Sequence, residues 1–222
     1  MIEKHKVNVF IGMFGSGKTE IAINTALKLK DKYDNIAIAD IDTISPYYRT
    51  RDEIDYLTNL GIKVITPPRQ YMHADVPIIP PAAGGYIQNP DYKMVLDVGG
   101  NDDGAIVLGS LNNFLKNSDS AVYFVINAYR PFTDEKNKII GHIERLSAKA
   151  RLDIDYLVSN ANVMDDTTND HIKKGEDLVQ EVSNELNIPI AFTVVDEKQK
   201  ENIKTKYQKF PIKRFMKKAW DL

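Results

Sequence analysis

Three observations predict a three-layer α/β/α fold around a mostly parallel sheet of about seven strands. Strand-like runs alternate with helix-like ones along the chain, and such alternation builds parallel sheets covered by helices on both faces. Most of the strand-like runs are apolar at successive positions, the pattern of strands buried on both sides. In 7-VNVFIGMFGSGKTEIAI-23 a strand-like run ends in a glycine-rich turn and continues as a helix.

In chain order, strands are expected at 7–11, 35–40, 62–66, 93–98, 120–127, 154–160 and 189–194. Helices are expected at 17–32, 50–60, 102–117, 133–150, 168–187 and 211–221. The segment 66–92 breaks the rhythm with its prolines and glycines. A loop of that length in a compact domain is usually functional or mobile.

With 222 residues, 43% of them hydrophobic, the chain supports one sizeable core and a single domain over 1–222. A net charge of -2 gives no global pull toward nucleic acid. The absence of cysteine excludes disulfides, thiolate metal sites, iron–sulfur ligation and a cysteine nucleophile. His5, His73, His142 and His171 are scattered and form no recognisable metal motif. The first apolar run is short and leads straight into the glycine turn, so it does not read as a signal peptide. No apolar run approaches the ~20 residues needed to cross a bilayer. A cytoplasmic location is the expectation.

The glycine turn satisfies G-x-x-x-x-G-K-[ST] with Gly12, Gly17, Lys18 and Thr19. Glycines let backbone N–H groups turn inward around an anion, and the helix that follows adds its positive end. Gly12, Met13, Phe14, Gly15, Ser16, Gly17, Lys18, Thr19 and Glu20 are therefore the expected phosphate-binding loop. Lys18 would bridge the β and γ phosphates, and the Thr19 hydroxyl would hold Mg²⁺. The pattern predicts a P-loop NTPase fold.

Such a loop needs acids on nearby strands, because Mg²⁺ takes oxygen ligands and their waters. Asp97 ends the apolar strand in 93-KMVLDVGG-100, where it would accept from a water on Mg²⁺, and the Gly100 N–H would meet a γ-phosphate. Asp40 and Asp42 lie two apart at the end of the second strand and share a face. One suits contact with Mg²⁺ and the other suits orienting the attacking water. Thr19, Asp40, Asp42 and Asp97 are thus the candidate metal set. Arg49 and Arg51 follow, as phosphate or partner contacts or as solvated helix-face charges.

A P-loop on the first strand, D-x-D after the second and D-x-x-G after a later one resemble the pattern of the MinD/ParA-type (SIMIBI) branch of P-loop NTPases. The resemblance implies that Asp42 activates water, that Asp97 is the aspartate of D-x-x-G, and that an ATP-bound homodimer forms and separates after hydrolysis. One departure stands out. That family carries a Lys directly after the first glycine, used across the dimer, and this chain has Met13 there.

No N-K-x-D motif for guanine occurs, whereas Asn160 and Asn162 follow the sixth strand. An amide can read adenine, and the resembling ATPases contact the base in this region. Asn160 is the candidate, and ATP is favoured over GTP. Asn127 and Arg130 end another strand on the same sheet edge, where open α/β sheets bind ligands.

In the tail, Ile212, Phe215, Met216, Ala219 and Trp220 fall at helical spacing, with Lys213, Arg214, Lys217 and Lys218 opposite. A basic amphipathic helix at 211–222 is expected, docked on the body in preference to a membrane. The leading functional expectation is a Mg²⁺-dependent ATP hydrolase that acts as a switch or assembly factor for a protein client. The alternatives are a small-molecule kinase or ligase with an acceptor pocket near 66–92, a binding module with little turnover, and a GTPase.

Overall fold

The structure, a computed structural model, describes residues 1–42, 49–66, 80 and 82–215. Among the described residues, eight strands form one sheet: β1 (Val7–Ile11), β2 (Ile36–Ile41), β3 (Ile62–Ile65), β4 (Lys93–Val98), β5 (Ser120–Ile126), β6 (Tyr156–Ser159), β7 (Ile190–Asp196) and β8 (Lys209–Ile212). Their order is β3-β2-β4-β1-β5-β6-β7-β8. Every pairing is parallel. The chain runs outward from β1 to β3 on one side and returns through β4 and β5, which flank β1. That reversal is a topological switch point, and crevices at the carboxyl ends of such strands take ligands.

Alternating side chains divide the core into two layers. Val7, Val9 and Ile11 face one cluster with Met94, Leu96 and Val98. Its cover comes from α4 (Asp102–Ser110), α6 (Lys136–Ala150) and α7 (Asn169–Leu186), introduced with the smaller α3 (Ala82–Gln88) and α5 (Asn112–Lys116). Phe10, Ile38 and Val95 face the other cluster, under Ile21, Ala22, Ala26 and Leu29 of α1 (Lys18–Lys30) and Leu57 of α2 (Ile54–Asn59). Farther along this face, Phe10 and Tyr156 flank Tyr123, each with ring centroids 5.2 Å away. Phe192 stacks on Phe210 at 4.5 Å. These rings cover the sheet toward β8.

The helix expected at 211–221 is corrected at its start, because Lys209–Ile212 is strand β8. Phe210 and Ile212 point into the core and Pro211 lies between them. An edge strand tolerates proline, which cannot donate to a ladder. Residues 216–222 lie outside the described residues. The helix expected over 102–117 is two, α4 and α5, meeting at Leu111 (φ -89°, ψ 0°). The expected loop 66–92 contains α3, while 67–79 and 81 lie outside the described residues. No helix among the described residues is long and apolar enough to cross a membrane.

Candidate functional site

The turn between β1 and α1 has the backbone its glycines predict. Gly12, Gly15 and Gly17 have φ of 151°, 71° and 90°. A Cβ on Gly12 would lie 2.5 Å from the Val125 carbonyl oxygen, and one on Gly17 would overlap the Asn160 amide. Gly17 is the N-cap of α1 and gives no side-chain cap, so the first N–H groups of the helix are available to an anion. Lys18 folds beneath the loop, only 6% exposed, and its Nζ donates to Met13 O at 3.3 Å. Burial lowers its ammonium pKa, while the carboxylates of Asp97 and Asp42 work against that shift. Met13 packs into the core, so no cation occupies the position after the first glycine.

The ends of β2 and β4 supply the acids. Asp40 and Asp97 are register partners on these adjacent strands. Both are fully buried. Asp97 Oδ2 accepts from Thr50 Oγ1 at 2.8 Å, while Oδ1 is buried without a hydrogen-bond partner. Burial, then the charges of Asp40 and Asp42, push the Asp97 carboxyl up to about 7, against the pull of Lys18 and Thr50. Gly100 seals this corner. A Cβ there would lie 2.9 Å from Phe14 N and 3.0 Å from Lys18 Nζ.

Asp40 differs from the expectation of a metal ligand. Its Oδ2 accepts from Arg51 N at 3.0 Å and Nε at 2.7 Å, and its Oδ1 accepts from Arg51 Nη2 at 3.1 Å and Asp42 N at 3.0 Å. Arg51, rather than a cation in the cleft, is its partner. Arg51 Nη2 also donates to Asp42 O at 2.6 Å. Burial raises the Asp40 carboxyl, and the Arg51 hydrogen bonds act against it. Asp42 faces the β4 turn, since a Cβ on Gly99 would lie 3.2 Å from Asp42 Oδ1.

The remaining residues fit Mg²⁺, which takes oxygen ligands and retains waters. Thr19 brings a hydroxyl at the start of α1, and the unpartnered Asp97 Oδ1 offers a buried acceptor. No cluster of three or more His, Asp or Glu that suits direct ligation occurs among the described residues. A shared site completed by phosphate oxygens and water accords with that.

A cleft opens beside Gly15 and Gly17, walled by Asn162, Val195, Asp196, Ile203 and Arg214. Asn160, the expected base contact, turns its amide toward the glycine loop. Its Nδ2 donates to Ser16 O at 2.6 Å, bracing the glycine loop from behind. Asn127 is likewise internal. Its Oδ1 accepts from Tyr129 N at 3.0 Å and Asn162 N at 3.4 Å, which ties the loops after β5 and β6 together. Arg130 sits at the rim and donates from Nε to Gly15 O at 3.2 Å.

Sequence reasoning missed the closing strap, residues 213–215. Glu20 on the first turn of α1 accepts from Phe215 N at 3.0 and 3.1 Å. Arg214 Nε meets Asp196 at 2.7 Å and its Nη2 reaches Asp165. Phe215 lies 5.3 Å from the Tyr56 ring of α2. The expectation of a helix from 211 hid these contacts. Thr50 was also missed, because a threonine at a helix start ordinarily reads as a cap.

No protein-family model and no curated protein sequence matches the chain. Solved structures do. The cell division protein FtsY of Thermotoga maritima superposes with a TM-score of 0.60 at 17% identity, covering 86% of this chain and 62% of that one. The signal recognition particle receptor FtsY of Elizabethkingia anophelis in complex with GDP gives 0.59 at 16%, covering 86% and 57%. The signal recognition particle 54 kDa protein of Aeropyrum pernix in complex with GDP gives 0.53 at 19%, covering 84% and 40%. The chain therefore spans less than two thirds of each. At these identities the likeness establishes the fold: this is a P-loop NTPase-fold protein. It does not extend to the ATPase detail that the MinD/ParA resemblance implied.

Proposed function

We propose that this protein binds a purine nucleoside triphosphate with Mg²⁺ in the cleft at the carboxyl ends of β1, β4 and β6, and hydrolyses it as a switch for a protein partner. The observation that carries this reading is the buried Lys18 ammonium beneath a loop whose three glycines all have positive φ. Inward-turning N–H groups of a glycine loop together with one lysine are what phosphate binding requires. Guanine nucleotide is the favoured ligand, since two of the structural neighbours hold GDP. The adenine expectation rested on the missing N-K-x-D motif and on Asn160, whose amide nitrogen donates to Ser16 O.

In this reading the loop N–H groups and Lys18 hold the β and γ phosphates, and Gly100 approaches the γ-phosphate. Thr19 and Asp97 would hold Mg²⁺, which would supply charge neutralisation to the phosphate oxygens. Asp42 orients the attacking water. Arg130 lies at the rim beside Gly15, available to a phosphate. Release of the γ-phosphate would free the turns after β2 and β4, the usual output of such a switch. A cytoplasmic location and a nucleotide-dependent homodimer belong to the same reading.

The test is equilibrium binding of fluorescent GTP and ATP analogues, with competition by unlabelled GTP, GDP, ATP and ADP, and phosphate release measured alongside. Lys18→Ala is expected to abolish binding, and Asp42→Ala to bind but not turn over. Undiminished affinity in Lys18→Ala overturns the reading. The solution mass of Asp42→Ala with each triphosphate and diphosphate tests the homodimer.

A further inference from the structure

Two consecutive residues hold two different carboxylates on neighbouring strands. The 3₁₀ turn Thr50–Glu53 lies between β2 and α2. Its entry is fixed by Arg49 N donating to Asp52 Oδ2 at 2.7 Å. From this turn, Thr50 Oγ1 reaches Asp97 at 2.8 Å and Arg51 engages Asp40 at 2.7 Å. Thr50 is fully buried and Arg51 is 7% exposed. A hydroxyl buried at that depth is costly without a partner, and a carboxylate is the partner it has.

The two bonds differ in what they leave over. Arg51 engages both oxygens of Asp40. Thr50 engages one oxygen of Asp97 and leaves the other buried and unpartnered. A carboxyl group rotating about its Cβ–Cγ bond presents either oxygen. The Thr50 bond removes that freedom and fixes Oδ1 as the oxygen left without a protein partner. The hydroxyl has one proton to give, and here it is donated to Asp97.

We infer that Thr50 is a positioning residue for the metal-bound nucleotide, its hydroxyl clamping one oxygen of Asp97 so that the other is held toward the hydrated Mg²⁺. The inference rests on the nucleotide-switch reading. It adds a physical link, because Thr50 leads through its turn directly into α2. Ordering Asp97 by a loaded cleft thereby acts on the turn Thr50–Glu53 that leads into α2.

The experiment compares Thr50→Val, which keeps the shape and removes the donor, with Thr50→Ser, which keeps the donor. Affinity for the fluorescent triphosphate analogue is measured in EDTA and across a Mg²⁺ titration. Thr50→Val is expected to require about tenfold more Mg²⁺ for half-maximal tightening, the size of one hydrogen bond to a charged group, with affinity in EDTA unchanged. Thr50→Ser is expected to match the unmodified protein. A Mg²⁺ response in Thr50→Val equal to that of the unmodified protein overturns the inference, and so does a loss of affinity equal in EDTA and Mg²⁺. If Thr50→Val fails to fold, Thr50→Ala, which adds no bulk, is read the same way. Absence of Mg²⁺-dependent binding by the unmodified protein overturns the functional reading and this inference with it.

Discussion

The side chain of Asn24 pairs with the backbone of Lys213 as a strand would. Its Nδ2 donates to Lys213 O at 2.8 Å, and its Oδ1 accepts from Lys213 N at 2.8 Å. One amide on α1 thus satisfies both polar groups of a residue just past β8. The consequence is mechanical: the tail is fastened to the helix that carries Lys18.

Asn24→Leu is expected to lower the melting temperature and expose the tail to proteolysis after Lys209. The two hydrogen bonds to Lys213 and a third to Glu20 O are lost with this 5% exposed amide, a change of about 2 kcal/mol. For a chain of this length that is a fall of roughly 4–8 °C. Thermal melts with limited trypsinolysis check it. An unchanged melt with an intact tail would show the pair to be dispensable.

Asn160→Ala is expected to weaken GTP and ATP analogues by the same factor. The amide braces Ser16 O and packs against Gly17, so its loss loosens the phosphate loop rather than a base contact. A factor of about 5–10 corresponds to one buried hydrogen bond. A change in the ratio of the two affinities would return Asn160 to the role of base reader.

Much of this site is legible in the sequence, and the unread part has a common cause. The positions of Lys18, Asp42 and Asp97 follow from local pattern: a glycine turn after a strand, and acids where apolar runs stop. β4 falls at 93–98 as its run of apolar residues predicts. Partners joined over long separations leave no local trace. Thr50 and Asp97 are 47 positions apart, and Asn160 and Ser16 are 144 apart. The tail was misread for a different reason. Ile212 and Phe215 fit a helical spacing, while Phe210 and Ile212 fit a strand, and four residues of β8 are too few for periodicity to decide. Packing of Phe210 on Phe192 decided it.

Without metal or nucleotide, stability is expected to fall as pH rises from about 4 to 7. Asp97 titrates at about 7 in the folded protein, against about 3.9 in an unfolded chain. Within that window the folded state holds a proton that the unfolded chain has released, so raising the pH favours unfolding. The effect is on the order of 4 kcal/mol. Asp97→Asn removes the titration, and its urea midpoint should vary less with pH across the window. A midpoint that rises with pH in the unmodified protein to the same extent as in Asp97→Asn would contradict this.

Arg51 carries the last prediction, because the Arg51–Asp40 pair tests whether Asp40 is an anchor or a ligand. Their side chains are 5% and 0% exposed, and three N–H groups of Arg51 reach the carboxylate. Removing one member of a buried pair leaves the other charge uncompensated, at about 3–5 kcal/mol. Arg51→Met is therefore expected to destabilise the protein strongly. Asp40→Asn in the same chain should recover much of the loss, because the carboxylate left without its cation is then neutral. An anchor predicts this recovery in urea denaturation, together with Mg²⁺-dependent nucleotide binding in the double variant. If Asp40 ligates the metal, the double variant regains stability but its nucleotide affinity no longer responds to Mg²⁺. The two roles are thereby separated in one pair of measurements on one protein.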